Sequence, residues 1–149
     1  MTLSAASVIA TNNFTSPPNY WTNVFDGSLL SCTTGTIGTA DTASFMLELG
    51  TNMDGVARMT IAMNANPDSI HFSPCASGPY PHPVFVAGVW KNAYRIAMAH
   101  LVYGAAWGTN TLYFPVRGRY LGGQFYNASA GSAATVKIFE IEVMGRNVP

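Results

Sequence analysis

The sequence is short of charge. Of its 149 residues, seven are Lys or Arg and seven are Asp or Glu, 9% in all, and they cancel to zero net charge. An average soluble domain carries about 25%. The few basic residues are scattered, so there is no positive stripe to track phosphates, which excludes ordinary nucleic-acid binding. The three histidines, His71, His82 and His100, fall in separate segments. No Cys-His pairing, metal-ligand spacing or nucleophile-elbow serine accompanies them, so hydrolase and zinc chemistry lack their usual marks. The two cysteines, Cys32 and Cys75, are compatible with one bridge between loops or with buried free thiols, and the absence of a leader favours thiols. Long apolar runs are missing as well. Gly, Asn, Asp or Pro interrupts every stretch before the ~20 residues that span a bilayer, so no membrane insertion is expected. The opening MTLSAASVIA has neither a basic leader nor a long apolar region. It does not read as a secretory signal, which leaves a mature form or a chain that folds where it is made.

What is present is a core. At 48% hydrophobic content, 149 residues suffice for one domain, 1–149. Residues 133–145 (AATVKIFEIEVMG) are rich in β-branched and aromatic side chains, lack proline and are bounded by glycines, so they read as a long strand. Within it Phe139, Ile141 and Val143 fall on one face, and Glu140 and Glu142 on the other. Residues 43–50 (ASFMLELG) alternate cleanly, and 56–63 (VARMTIAM) resume after a turn at 52–55. Residues 4–10, 69–72, 84–89, 94–102, 111–114 and 118–126 complete the strand-like segments, with Ala97, Met98 and Ala99 equally compatible with a helical turn and Gly122-Gly123 as a bulge or close approach. The stretch 28–41, full of Gly, Ser and Thr, reads as an irregular crossover, and 73–83, with four prolines, as a long loop. No amphipathic helix is evident. Strands every 8 to 20 residues give an all-β fold, an antiparallel β-sandwich or jelly roll. Glu140, an acid beside the core, needs a partner, and the polar turn in 23–31 (NVFDGSLLS) can supply it.

In order, NVFDGS, ASFMLELG, YRI, a Trp, TLYFPVRGRYLGGQF and VKIFEIEVMG resemble the discoidin family, the coagulation-factor type C domains, within the galactose-binding-like jelly rolls. The likeness covers nearly the whole chain. It departs at Ser44, where the family usually places Trp, in residues 29–36, which offer no Trp, in the lack of cysteines near the termini, and at 73–91, which looks inserted. The resemblance implies a structural Ca²⁺ held by Asn23, Asp26, Ser28 and Glu140, with carbonyls near Ser31 and Phe139. Such an oxygen set suits Ca²⁺. The alternative is that Asp26 accepts N–H groups of its own turn while Glu140 bonds a nearby Ser, Thr or Arg. Glycan binding, common in the family, would use Trp21, Tyr80, His82, Trp90, Arg95 and Trp107 near the loops. Core packing is the competing reading for Trp21 and Trp107.

Asp26 with Glu140 could imitate a glycosidase pair, but the resemblance assigns both to the scaffold, and no enzyme is expected. The sparse charge admits two explanations. One is an exterior covered by partners, which makes the chain a subunit of a homo-oligomer or larger assembly such as a capsid-decorating, baseplate or tail-fibre component of a virion. The other is an exterior kept soluble by hydroxyls and amides, as in a carbohydrate-binding module that acts through its loops. The first is the main expectation and the second its alternative.

Overall fold

The computed structural model describes residues 3–14, 21–39, 41–64, 69–75, 84–86, 89–91, 94–95, 101–102, 104, 107–127 and 133–149; of residues 10, 69, 71–75, 84–86, 89–91 and 94–95 it describes the backbone only. The strands are β1 Val8–Asn12, β2 Thr33–Ile37, β3 Asp41–Met63, β4 Ser69–Cys75, β5 Val84–Val86, β6 Val89–Lys91, β7 Tyr94–Arg95, β8 Thr109–Asn127 and β9 Ala134–Asn147, with single 3-10 turns at Ala5–Ser7 and Trp21–Val24. Pairing is antiparallel throughout, in the order β2-β9-β3-β8-β4-β7, and β1 pairs with the first half of β3. The hairpin β5-β6 stands apart. Among the described residues no helix is long and apolar enough to cross a membrane.

The fold is organised by β3, which is one strand of 23 residues where the sequence suggested two strands and a turn. Gly50 takes φ +75°, a conformation that glycine alone adopts without penalty. The pairing with β8 slips between Glu48 and Met53. The strand therefore bends and continues. Its first half pairs with β1 and β8, its second with β9 and β8, and both halves feed one core. Ala43, Phe45, Leu47 and Leu49 before the bend, and Met53, Ala57, Met59, Ile61 and Met63 after it, are all buried. The same parity faces inward on both sides. On β8 the inward parity switches instead, from Leu112, Phe114 and Val116 to Leu121 and Phe125, across Gly118 at φ +115°. The expected irregularity at Gly122-Gly123 thus sits earlier. Those two glycines pair in register with β3 on one side and β4 on the other.

Two further differences come from local chemistry. Residues 33–37 inside the expected crossover form β2, with Thr33, Gly35 and Ile37 buried. Gly35 is required because a Cβ there would lie 2.7 Å from the Phe14 ring. In β9, Thr60 pairs with Glu140 but Ile61 pairs with Ile138, so Phe139 is an extra residue in a bulge. Ile138 and Ile141 face inward while Phe139 and Glu140 are each half-buried. The uninterrupted alternation expected through Phe139, Ile141 and Val143 does not hold.

Candidate functional site

The turn after Trp21–Val24 is built by its own side chains. Asp26 Oδ1 accepts the Ser28 N–H at 2.8 Å, its Oδ2 accepts the Ser31 hydroxyl at 2.6 Å, and the Ser28 hydroxyl accepts the Leu30 N–H at 3.1 Å. These bonds hold the Asp26 carboxyl below its usual pKa, Ser31 first and the Ser28 N–H second. Asn23 braces the turn from behind by donating to the Cys32 carbonyl at 3.2 Å. Cys32 is a free thiol, and the Cys75 side chain lies outside the described residues.

This turn faces the β9 bulge. Glu140 accepts the Gly27 N–H and senses the Asp26 charge, so the first quarter of the chain does meet its last strand. Burial pushes the Glu140 carboxyl up, and the neighbouring Glu142 and Asp26 charges add to it; the Gly27 N–H and the Arg58 charge oppose. Its Oε2 is buried with no hydrogen-bond partner. Arg58 is committed to Glu142, with which it forms an ion pair. Beside Glu140 a cleft of about 440 Å³ runs along residues 140–144 against Leu3 and Phe25. A buried, unpartnered carboxylate oxygen facing a second carboxylate is an arrangement that a hard cation would relieve. Among the described residues no three carboxylate, His or Cys side chains converge, so such a cation would depend on hydroxyl and carbonyl oxygens as well.

The candidate sugar-contacting residues separate. Trp21 is 6% exposed, with Phe14 at 5.4 Å and Phe45 at 5.7 Å between ring centroids, so its faces are taken up by the core. Tyr80 and His82 lie outside the described residues, and of Trp90 and Arg95 only the backbone, in β6 and β7, is described. Trp107 is different. It is half-buried where β3 ends and β8 begins, it holds φ +50°, and the Lys137 ammonium lies 4.1 Å from its ring centroid. A bulky residue at that φ persists only when its surroundings over-determine it. Here the Trp107 N–H donates to the Gly104 carbonyl at 2.9 Å and the Gly104 N–H to the Met63 carbonyl at 3.2 Å. Asn110, 6% exposed, clamps the same loop: its amide accepts the Val102 N–H and donates to the Val102 carbonyl, both at 2.6 Å, and donates to the Gly108 carbonyl at 3.3 Å. Neither Lys137 nor the Ser31 hydroxyl was expected from sequence. A lysine in an alternating strand announces only a solvated face, and a serine in a Ser-rich stretch announces nothing.

No protein-family model matches the sequence, and no curated protein matches it. Solved structures do. The chain is similar to chitosan-binding module 1 of a chitosanase/glucanase from Paenibacillus sp. IK-5, at TM-score 0.55 and 16% identity over 91% of this chain and 92% of that one. It is similar to a family 32 carbohydrate-binding module of Clostridium perfringens solved in complex with galactose, at TM-score 0.54 and 13% identity over 93% and 94%. A fucolectin from striped bass (Morone saxatilis) serum matches at TM-score 0.55 and 18% identity, over 96% of this chain and 48% of that one. The fold is that of the galactose-binding-like β-sandwiches, to which the discoidin domains are related. These matches overturn the expectation of a virion or assembly subunit, because the proteins that share the fold are carbohydrate-binding modules and a lectin.

Proposed function

We propose that this chain is a non-catalytic carbohydrate-binding module that takes a hexose at the loop end of its sandwich. The observation that carries the reading is Trp107, an aromatic ring pinned in a left-handed backbone conformation beside Lys137 in a fold shared with chitosan-, galactose- and fucose-binding proteins. A sugar presents a C–H face to an aromatic ring and hydroxyls to a nearby donor. Trp107 would supply the first once the Lys137 ammonium, which caps the ring in the free chain, turns to a sugar hydroxyl and supplies the second. The test is calorimetry against galactose, fucose and chitosan oligomers. Trp107→Ala should weaken the preferred ligand about tenfold or more while the melting temperature moves little. Unchanged affinity in that variant would remove Trp107 from the site, and no binding to any of the three by the wild type would end the reading.

The oxygens of Asp26 and Glu140, with the Ser28 and Ser31 hydroxyls, would hold a Ca²⁺ that ties the turn to β9. When bound, the ion would supply charge neutralisation of a structural kind. Without it, the raised pKa of Glu140 means that folding favours the protonated form. Stability from this group is full below the ordinary glutamate range and is lost as pH rises through the raised value. In a chelator, therefore, Glu140→Gln should melt increasingly above the wild type as pH rises from 4 to 7, and the two should converge at the acid end. Calcium at about 100 times its Kd should stabilise the wild type by about 2.7 kcal/mol and leave the variant unmoved. Parallel melting curves at every pH, with no response to calcium, would refute both the metal and the strained carboxylate.

A further inference from the structure

At the opposite end of the sandwich, where β3 bends, three strands set charged residues in one row. Asp54 on β3 is the register partner of Arg117 on β8 and of Arg146 on β9. A single carboxylate thus stands between two guanidinium groups. Arg146 reaches Asp54 at 3.3 Å and its side chain is 81% exposed. Arg117 is exposed and has no hydrogen bond or ion pair among the described residues. Next along β8, Arg119 is already satisfied by Glu48, at 2.9 Å from its Nε, so neither of those charges offsets the row. Counting side chains alone, the row carries one positive charge in excess.

The row borders an open, shallow cavity of about 480 Å³, with Asn52, Met53, Gly118, Val148 and Pro149 as its other walls. Those walls are fixed. Met53 is buried, and the Val148 N–H donates to the Asn52 carbonyl at 2.8 Å, which ties the tail to the bend. Two guanidiniums facing one carboxylate match a monoanion rather than a dianion. Apolar Val148 suits a C–H face, and the Asn52 amide suits a hydroxyl.

We propose that this cavity is a second saccharide site, for an acidic sugar whose carboxylate takes the place at Arg117 that Asp54 leaves open. The charge preference stands on the arginine row alone; the saccharide part rests on the carbohydrate-binding reading above. The second half of β3, Met53 to Met63, puts about 30 Å of strand between this cavity and Trp107 at the far end, so the two sites can be read separately.

The experiment is an amide-shift titration of the whole chain by NMR with sodium glucuronate, glucose, galactose, fucose, chitosan oligomers and sodium sulfate. Glucuronate should move the amides of Asn52, Arg117 and Val148 and saturate, whereas glucose should not. Arg117→Gln should weaken glucuronate about tenfold, the scale of one charge-assisted hydrogen bond. Asp54→Asn should tighten it, and Arg119→Gln, which removes the same charge from outside the cavity, should alter it less than about twofold. Equal response to glucose and glucuronate, or an Arg117→Gln variant that binds as the wild type does, would overturn the site. Sulfate as tight as glucuronate would overturn its assignment to a saccharide. Failure of galactose, fucose and chitosan oligomers alike to move Trp107, while glucuronate moves Asn52, would sink the loop-end reading and leave this one standing; the reverse pattern would sink this one.

Discussion

Phe45→Ala is expected to be the most damaging single truncation, destabilising the domain by about 3–5 kcal/mol. Phe45 is fully buried in the first half of β3 and holds an aromatic cluster together: Trp21 lies 5.7 Å from it and Phe14 6.2 Å, and Phe14 in turn meets Phe125 at 6.3 Å. That cluster joins the segment just after β1, the Trp21–Val24 turn, β3 and β8. Its loss leaves a cavity that the sheet cannot close, because β3 is held by strands on both sides. Thermal melting should show a drop of about 10 °C or more, accompanied by a red shift of Trp21 fluorescence as water reaches the ring. A drop of only a degree or two would mean that the cluster repacks and that the core is not organised around this residue.

The second large effect concerns a glycine pair in the body of the sheet. Gly55 and Gly145 are register partners on β3 and β9. A Cβ on Gly55 would run into the Met144 carbonyl oxygen and come within 2.7 Å of the Gly145 Cα, and a Cβ on Gly145 would run into the Asp54 carbonyl oxygen. Both obstacles are backbone atoms, so no rotamer change relieves them. Gly55→Ala should therefore cost about 3 kcal/mol, the upper range of overpacking. Gly50 is the control. It stands at φ +75° with open space where an alanine Cβ would lie, so Gly50→Ala should cost only the left-handed backbone penalty, about 1–2 kcal/mol, and Gly50→Asn less. Equal effects at the two glycines, measured by urea unfolding, would show that close approach is not what the sheet requires at Gly55.

The sequence made the strands legible wherever one face is buried, because alternation in 43–50, 56–63 and 133–145 records which side chains meet the core. It hid every place where that alternation is interrupted. Asn52, Asp54 and Gly55 carry turn chemistry, yet the chain runs straight through them, since Gly55 is there for room and Gly50 supplies the bend. The Phe139 bulge cannot be seen because an inserted residue in an apolar strand looks like one more apolar residue. β2 escaped notice for a related reason: Thr33, Gly35 and Ile37 are a weak signal until Phe14 is known to lie over Gly35.

The candidate site was partly legible. An acid in the last strand and a polar turn in the first quarter do come together, through Gly27 and the Asp26 charge. Whether a tryptophan faces core or solvent was not readable, since Trp21 and Trp107 have equally apolar neighbours in sequence. Only the fold separates a ring packed on Phe45 from one set beneath a lysine. The sparse charge misled for a simpler reason. A neutral exterior says that hydroxyls and amides do the solvating, and it does not say what covers them.

The parity switch in β8 has a bearing on how this molecule can vary. On β3 the inward residues keep one parity through the bend, while on β8 they change from even to odd across Gly118. Losing or gaining one residue between Val116 and Leu121 would turn half a central strand inside out. Lengths there are tolerable only in steps of two, so related chains should differ in residue number freely in their loops and hardly ever at this corner.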